Sequence, residues 1–150
     1  MSRRPGLEHA TMQQQISLIT LGVTDFSASR RFYTQGFGWI PVFEMPDIAF
    51  FQMNGLVFGI WSAKALAEDM NRPASAPGSI ALAHNVGSAE EVESVIAKLT
   101  AAGATLLRAG DAPPHGGYRG YVADPDGHAW EIAWNPAWPI DSSGHVRFSA

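Results

Sequence analysis

The sequence predicts an α+β domain of two tandem βαβββ modules whose curved mixed sheets surround a pocket. Three observations carry that expectation. One order of strand and helix signals runs through residues 16–61 and returns through 79–136; a Pro- and Ser-rich stretch, 62–78, separates the copies; and equivalent landmarks keep step. Val23/Val86, Gly38/Gly103, Gly55/Gly127 and Ile60/Ile132 lie 63, 65, 72 and 72 residues apart, so the second copy is longer mainly in a Gly- and Pro-rich insertion at 110–117.

In the first module ISLITLGV is a β-branched and apolar run that reads as a strand, and Asp25 is an N-cap for a helix over 27–35 that Gly36 and Gly38 stop. Strands follow at 40–43, 48–53 and 56–61, the last two joined by an Asn54-Gly55 turn. The linker carries a helical turn at 64–70. In the second module SIALAHNV is a strand, and Ser88-Ala89-Glu90-Glu91 is a capping box opening a helix with Val92, Val95, Ile96 and Leu99 on one stripe. Gly103 ends that helix. Strands over 104–108, 120–123 and 128–134 complete the copy, with Asp124-Pro125-Asp126-Gly127 as a tight turn. Residues 1–15 read as a loose leader. The Pro-rich tail after residue 136 cannot form a central strand and is expected to wrap a sheet edge or a partner subunit.

Composition narrows the function. Ten basic against 14 acidic residues, with no run of either sign, argue against nucleic acid and anionic membrane surfaces. No stretch approaches the roughly 18 apolar residues of a membrane span. The absence of cysteine excludes disulfides, thiolate metal sites and thiol nucleophiles, and fits the cytoplasm. P-loop, GxGxxG, HExxH and GxSxG patterns are also absent. An open curved sheet with a helix on one side cannot enclose a cavity alone, so the space between two such sheets is where a ligand is expected.

VTDFSASRRFYTQGFGW resembles the first helix of vicinal-oxygen-chelate proteins, the glyoxalase/bleomycin-resistance/dioxygenase superfamily, and GYVADPDGHAWEIAWNP resembles their terminal hairpin. The resemblance covers residues 16–136. It implies that superfamily's fold and a divalent metal held by the first and last strands of each module. Carried onto this chain, the ligand positions fall on Leu18, Gly59, Ala81 and Glu131, of which only Glu131 offers a donor. One carboxylate does not hold a catalytic divalent ion. No cofactor is therefore expected, and a metal only with a rearranged site.

Strand alternation places Ala81, Ala83 and Asn85 on one face and His84 on the other, packed between strand and helix layers. Glu131, between Trp130 and Ile132, needs a polar partner or a raised pKa, and is the foremost candidate for an acid, base or anchor. Arg119 and Tyr121 share a face, and the Tyr121 position resembles one that contacts substrate in fosfomycin-resistance relatives. Trp61 shares parity with Gly59 and joins Asn85, Arg119, Tyr121 and Glu131 as the expected ligand-binding set. His128 is expected to point outward, and His115 to sit in a flexible loop. Small residues at Gly59, Ala81 and Ala83 leave room for an apolar or aromatic ligand. The leading expectation is a metal-independent small-molecule-binding protein; bleomycin-resistance proteins, which the chain resembles, also lack the metal and work as dimers. An enzyme, a glyoxalase-like lyase or isomerase or a dioxygenase using Glu131, is the alternative, and an interaction module with a filled pocket is a third. Homodimerisation is implied by the same resemblance, with the modules pairing within one chain or swapped between two.

Overall fold

The computed structural model describes residues 12–148. Most of the predicted leader lies outside them. Module one runs β1 (Leu18–Val23), α1 (Phe26–Arg31), β2 (Phe43–Met45), β3 (Ile48–Gln52) and β4 (Val57–Ser62). Helix α2 (Ala63–Met70) occupies the linker, and module two runs β5 (Ala81–Asn85), α3 (Ala89–Ala101), β6 (Thr105–Asp111), β7 (Tyr118–Ala123) and β8 (Ala129–Trp134). Each module forms a four-stranded sheet, in the orders β1-β4-β3-β2 and β5-β8-β7-β6. The β1–β4 and β5–β8 pairs are parallel and the remaining pairs antiparallel, so the predicted duplication is present in full.

The predicted caps form. Asp25 accepts from the Ala28 amide at 3.1 Å, and Ser88 accepts from the Glu91 amide at 3.1 Å. The Glu91 carboxylate reaches back to the Gly87 amide rather than to that of Ser88, closing the box one residue early. Three elements differ from the sequence reading. The first helix passes after Arg31 into a π-helical turn, Phe32–Gly36, which brings Gly36 against α3: a Cβ there would lie 3.0 Å from the Ala102 methyl. The strand expected at 40–43 is instead β2, because Pro41 has no amide to donate and pairing is set from the turn at Pro46-Asp47, with Phe43 opposite Phe50. Strand β6 continues to Asp111 because two register shifts let it follow β7 into the insertion.

One core joins the modules. Phe32, Tyr33, Phe51, Phe58 and Ile60 from module one meet Val92, Leu99, Val122, Trp130 and Ile132 from module two, all almost fully buried. Tyr33 stacks on Phe37 and Trp39, with centroids 5.6 and 6.0 Å away, and meets Phe58 edge-on at 5.1 Å. Each sheet spends one face on this core and turns its other face away, and the two sheets do not close on each other. The tail folds back through an Ile140–Val146 bridge, and Asn54 Nδ2 donates to the Ser143 carbonyl at 3.2 Å. No helix among the described residues is long and apolar enough to cross a membrane.

Candidate functional site

Alternation along β7 and β8 puts Ile132 and Trp130 in the core and Glu131 on the opposite face, half-buried. Tyr121 is the direct cross-strand partner of Glu131, and Ala83 lies beside Glu131 on β5. The floor is thus a carboxylate flanked by a phenol on one side and a methyl group on the other. Burial pushes the Tyr121 phenol up, the Glu131 carboxylate pushes it further, and the Arg119 and Arg108 guanidiniums oppose both. A neutral phenol beside a carboxylate offers one donor and one acceptor to a ligand at neutral pH.

Arg119 occupies the same face, two residues before Tyr121, but its guanidinium is paired with Asp111. Asp111 also receives Arg108 Nη2 at 3.0 Å, and its carboxyl is held below the usual carboxylate range by the Arg108 hydrogen bond first and by Arg119 in addition. Arg119 and Tyr121 therefore stand together as expected, with the arginine charge shared. Asn85 lies two residues beyond Ala83 at the end of β5 and lines an opening between the modules together with His84. Trp61 belongs to the other sheet, between Gly22 and Ile48.

The metal positions of the resemblance fall on the two outward faces. Leu18 is 47% exposed and Ala81 is exposed, and neither side chain carries a donor atom. At Gly59 the expected free space is filled: a Cβ there would lie 2.9 Å from Phe50 Cδ1, and the Phe50 ring stacks on Phe43 at 5.7 Å. The parallel registers put Thr20 beside Gly59 and Ala83 beside Glu131, which adds one weak oxygen donor and no more. These side chains do not fit a divalent ion, and among the described residues no group of three His, Cys, Asp or Glu converges. The aromatic face of module one is a feature the sequence reading missed, although Phe43 and Phe50 are strand residues of the right parity.

The histidines divide. His84 packs edge-on against Phe37 and Trp39, as alternation predicts, and burial pushes its pKa down. His128 is not outward: its Nε2 lies 2.8 Å from the Gly22 carbonyl oxygen, because the tight turn aims the ring at β1. The turn carries more than its sequence signal suggests. Asp124, 3% exposed, accepts from Tyr33 Oη and from the amides of Asp126 and His128, while Asp126 accepts from Thr24 and Ser29.

The duplicated βαβββ order, the inter-module turn and the carboxylate at mid-β8 together define a protein of the vicinal-oxygen-chelate class. The profile of the Glyoxalase/Bleomycin resistance protein/Dioxygenase superfamily matches residues 15–132, and the chain belongs to that superfamily. It is similar to a glyoxalase-related enzyme from Fulvimarina pelagi, with 57% identity over 92% of this chain and 100% of that one and a TM-score of 0.89. Its fold is shared by a glyoxalase/bleomycin resistance protein/dioxygenase family enzyme from Burkholderia phytofirmans PsJN, with 23% identity, 79% and 96% coverage and a TM-score of 0.71. It is shared also by a lactoylglutathione lyase from Agrobacterium tumefaciens, with 19% identity, 83% and 96% coverage and a TM-score of 0.65.

Proposed function

We propose that this chain binds a small, uncharged aromatic molecule on the Tyr121–Glu131 face without a divalent metal. The observation that carries the reading is the pairing of Tyr121 with Glu131 over a floor of small residues, at a place where the superfamily's other ligand positions hold no donor. A ligand hydroxyl or amide donates to Glu131 and accepts from Tyr121, and its apolar body lies over Ala81 and Ala83. The face is open in one chain. A second copy closes it, presenting the apolar face of its first module, where Leu18, Phe43 and Met45 are 47, 48 and 54% exposed. The working form is then a cytoplasmic homodimer, with Trp61 on the aromatic wall and Arg119 at the rim.

A second reading is favoured by the similarity to a glyoxalase-related enzyme over that enzyme's whole length. In it the same Glu131 accepts a proton from the bound molecule and Tyr121 holds the oxygen that gains charge, giving a lyase or an isomerase, or a dioxygenase where the deprotonated molecule goes on to take up O2. Titration of the isotope-labelled protein with 2-naphthol, followed by amide resonances, tests the shared site. Shifts concentrated at Tyr121, Glu131 and Ala81, lost in Glu131→Gln, are the expected result. Unmoved resonances at Tyr121 and Glu131, or shifts there that persist unchanged in Glu131→Gln, overturn it.

A further inference from the structure

Between the modules lies a cleft of about 570 Å³, a size in the range of ordinary small-molecule sites, whose lining includes neither Tyr121 nor Glu131. Four segments meet around it: Gly38–Ile40 after the π turn, the end of β3 with its turn, the end of β5, and Gly144 with Val146 of the folded-back tail. Trp39, Met53 and Val146 give it apolar walls.

Its polar groups are few and differently committed. Gln52 Nε2 donates to the Met53 and Leu56 carbonyls, and Asn54 Nδ2 to that of Ser143, so these amides brace the wall. The His84 ring nitrogens and the Asn85 amide make no side-chain hydrogen bond with any described residue, although both side chains are half-buried. His84 packs edge-on against Phe37 and Trp39, at 5.9 and 6.4 Å, which limits the turning of its ring, and it lines the cleft beside Trp39. β5 is an edge strand, paired with β8 on one side, so its other backbone edge has no ladder partner. No Lys, Arg, Asp or Glu is among the lining residues.

We propose that this cleft is a second binding site, for a small uncharged aromatic molecule bearing a hydrogen-bonding group of the indole, phenol or amide kind. A neutral imidazole supplies one donor and one acceptor, the Asn85 amide supplies both, and the walls take the ring. Burial favours the uncharged form of His84, which matches a site without countercharges. A carboxylate or an ammonium ion would enter unpaired and is rejected.

The test is an amide-resolved titration of the full chain with indole, with benzoate and benzylamine as charged probes of similar size. Saturable shifts at Gly38, His84, Asn85 and Gly144, with indole bound at least fivefold more tightly than either charged probe, are expected. His84→Phe keeps the ring packing and removes both nitrogens, and it should weaken indole about tenfold. Asn85→Ala, read in the same way, serves should the first variant fail to fold. Equal binding of the charged probes, unchanged affinity in the folded variants, shifts confined to Tyr121 and Glu131, or cleft resonances that move with protein concentration alone would each overturn the proposal.

Discussion

Tyr33 Oη donates to Asp124 Oδ2 at 2.7 Å, and Trp130 Nε1 donates to the same hydroxyl at 3.1 Å. The helix of the first module is thereby tied to the tight turn and last strand of the second, inside the common core. Burial, with the adjacent Asp124 carboxylate, pushes the Tyr33 phenol well above its ordinary range, so it remains a donor at every physiological pH. Tyr33→Phe keeps the ring packing but leaves Asp124 short of one donor and Trp130 without its acceptor. A loss of about 1.5–3 kcal/mol in urea unfolding is expected. A loss near zero would mean that the aromatic packing alone joins the modules.

Gly117, expected in a flexible loop, is held firmly. Its φ is +82°, and a Cβ there would meet the Trp134 carbonyl oxygen at 2.4 Å. Gly117→Ala should cost at least about 2 kcal/mol by the same measurement, whereas Gly116→Ala, with open space around it, should cost only its backbone strain, about 1 kcal/mol.

The pH dependence of stability has opposite signs at the two ends. His84 has its pKa lowered from 6.5, so below that pH the unfolded chain takes up the proton first and stability falls as pH falls. Tyr33 and Tyr121 are raised above 10.0, so above that pH the unfolded chain loses protons first and stability falls as pH rises. His84→Phe should flatten the acid side between pH 6.5 and the folded-state pKa while leaving the alkaline side unchanged. Urea midpoints across pH check both limbs.

Glu131→Gln removes the charge beside Tyr121 but keeps a hydrogen-bonding side chain. The Tyr121 phenol should then titrate at lower pH, with Tyr33 unmoved, in a residue-resolved NMR titration of the tyrosine rings. An unmoved Tyr121 would separate the two groups and remove the basis of the site.

Repetition made the fold legible. Gly103, Gly127, Ser88 and Asp25 act locally, through backbone conformation and caps, and each does what its residue type predicts. Parity along β5 and β8 likewise placed His84 in the packed layer and Glu131 opposite it. What stayed hidden depends on how the modules meet. Asp124 reads as a turn former, and only the approach of Tyr33 makes it an inter-module acceptor. Gly59 reads as empty space, and only the register of β3 against β4 brings Phe50 over it. His128 follows a turn glycine, yet the neighbouring β1 supplies it a carbonyl. Long-range neighbours of this kind leave no periodic trace in a sequence.

The proposed ligand site on Tyr121 and Glu131 is one that works without metal. Its most direct test is the equilibrium binding of 2-naphthol to protein dialysed against chelator and to the same protein reloaded with Mn²⁺ or Zn²⁺. Equal affinity in both samples, falling about tenfold in Glu131→Gln, is the predicted result. Binding that appears only after metal is restored, or Tyr121 resonances that still shift with unchanged affinity in Glu131→Gln, would contradict it.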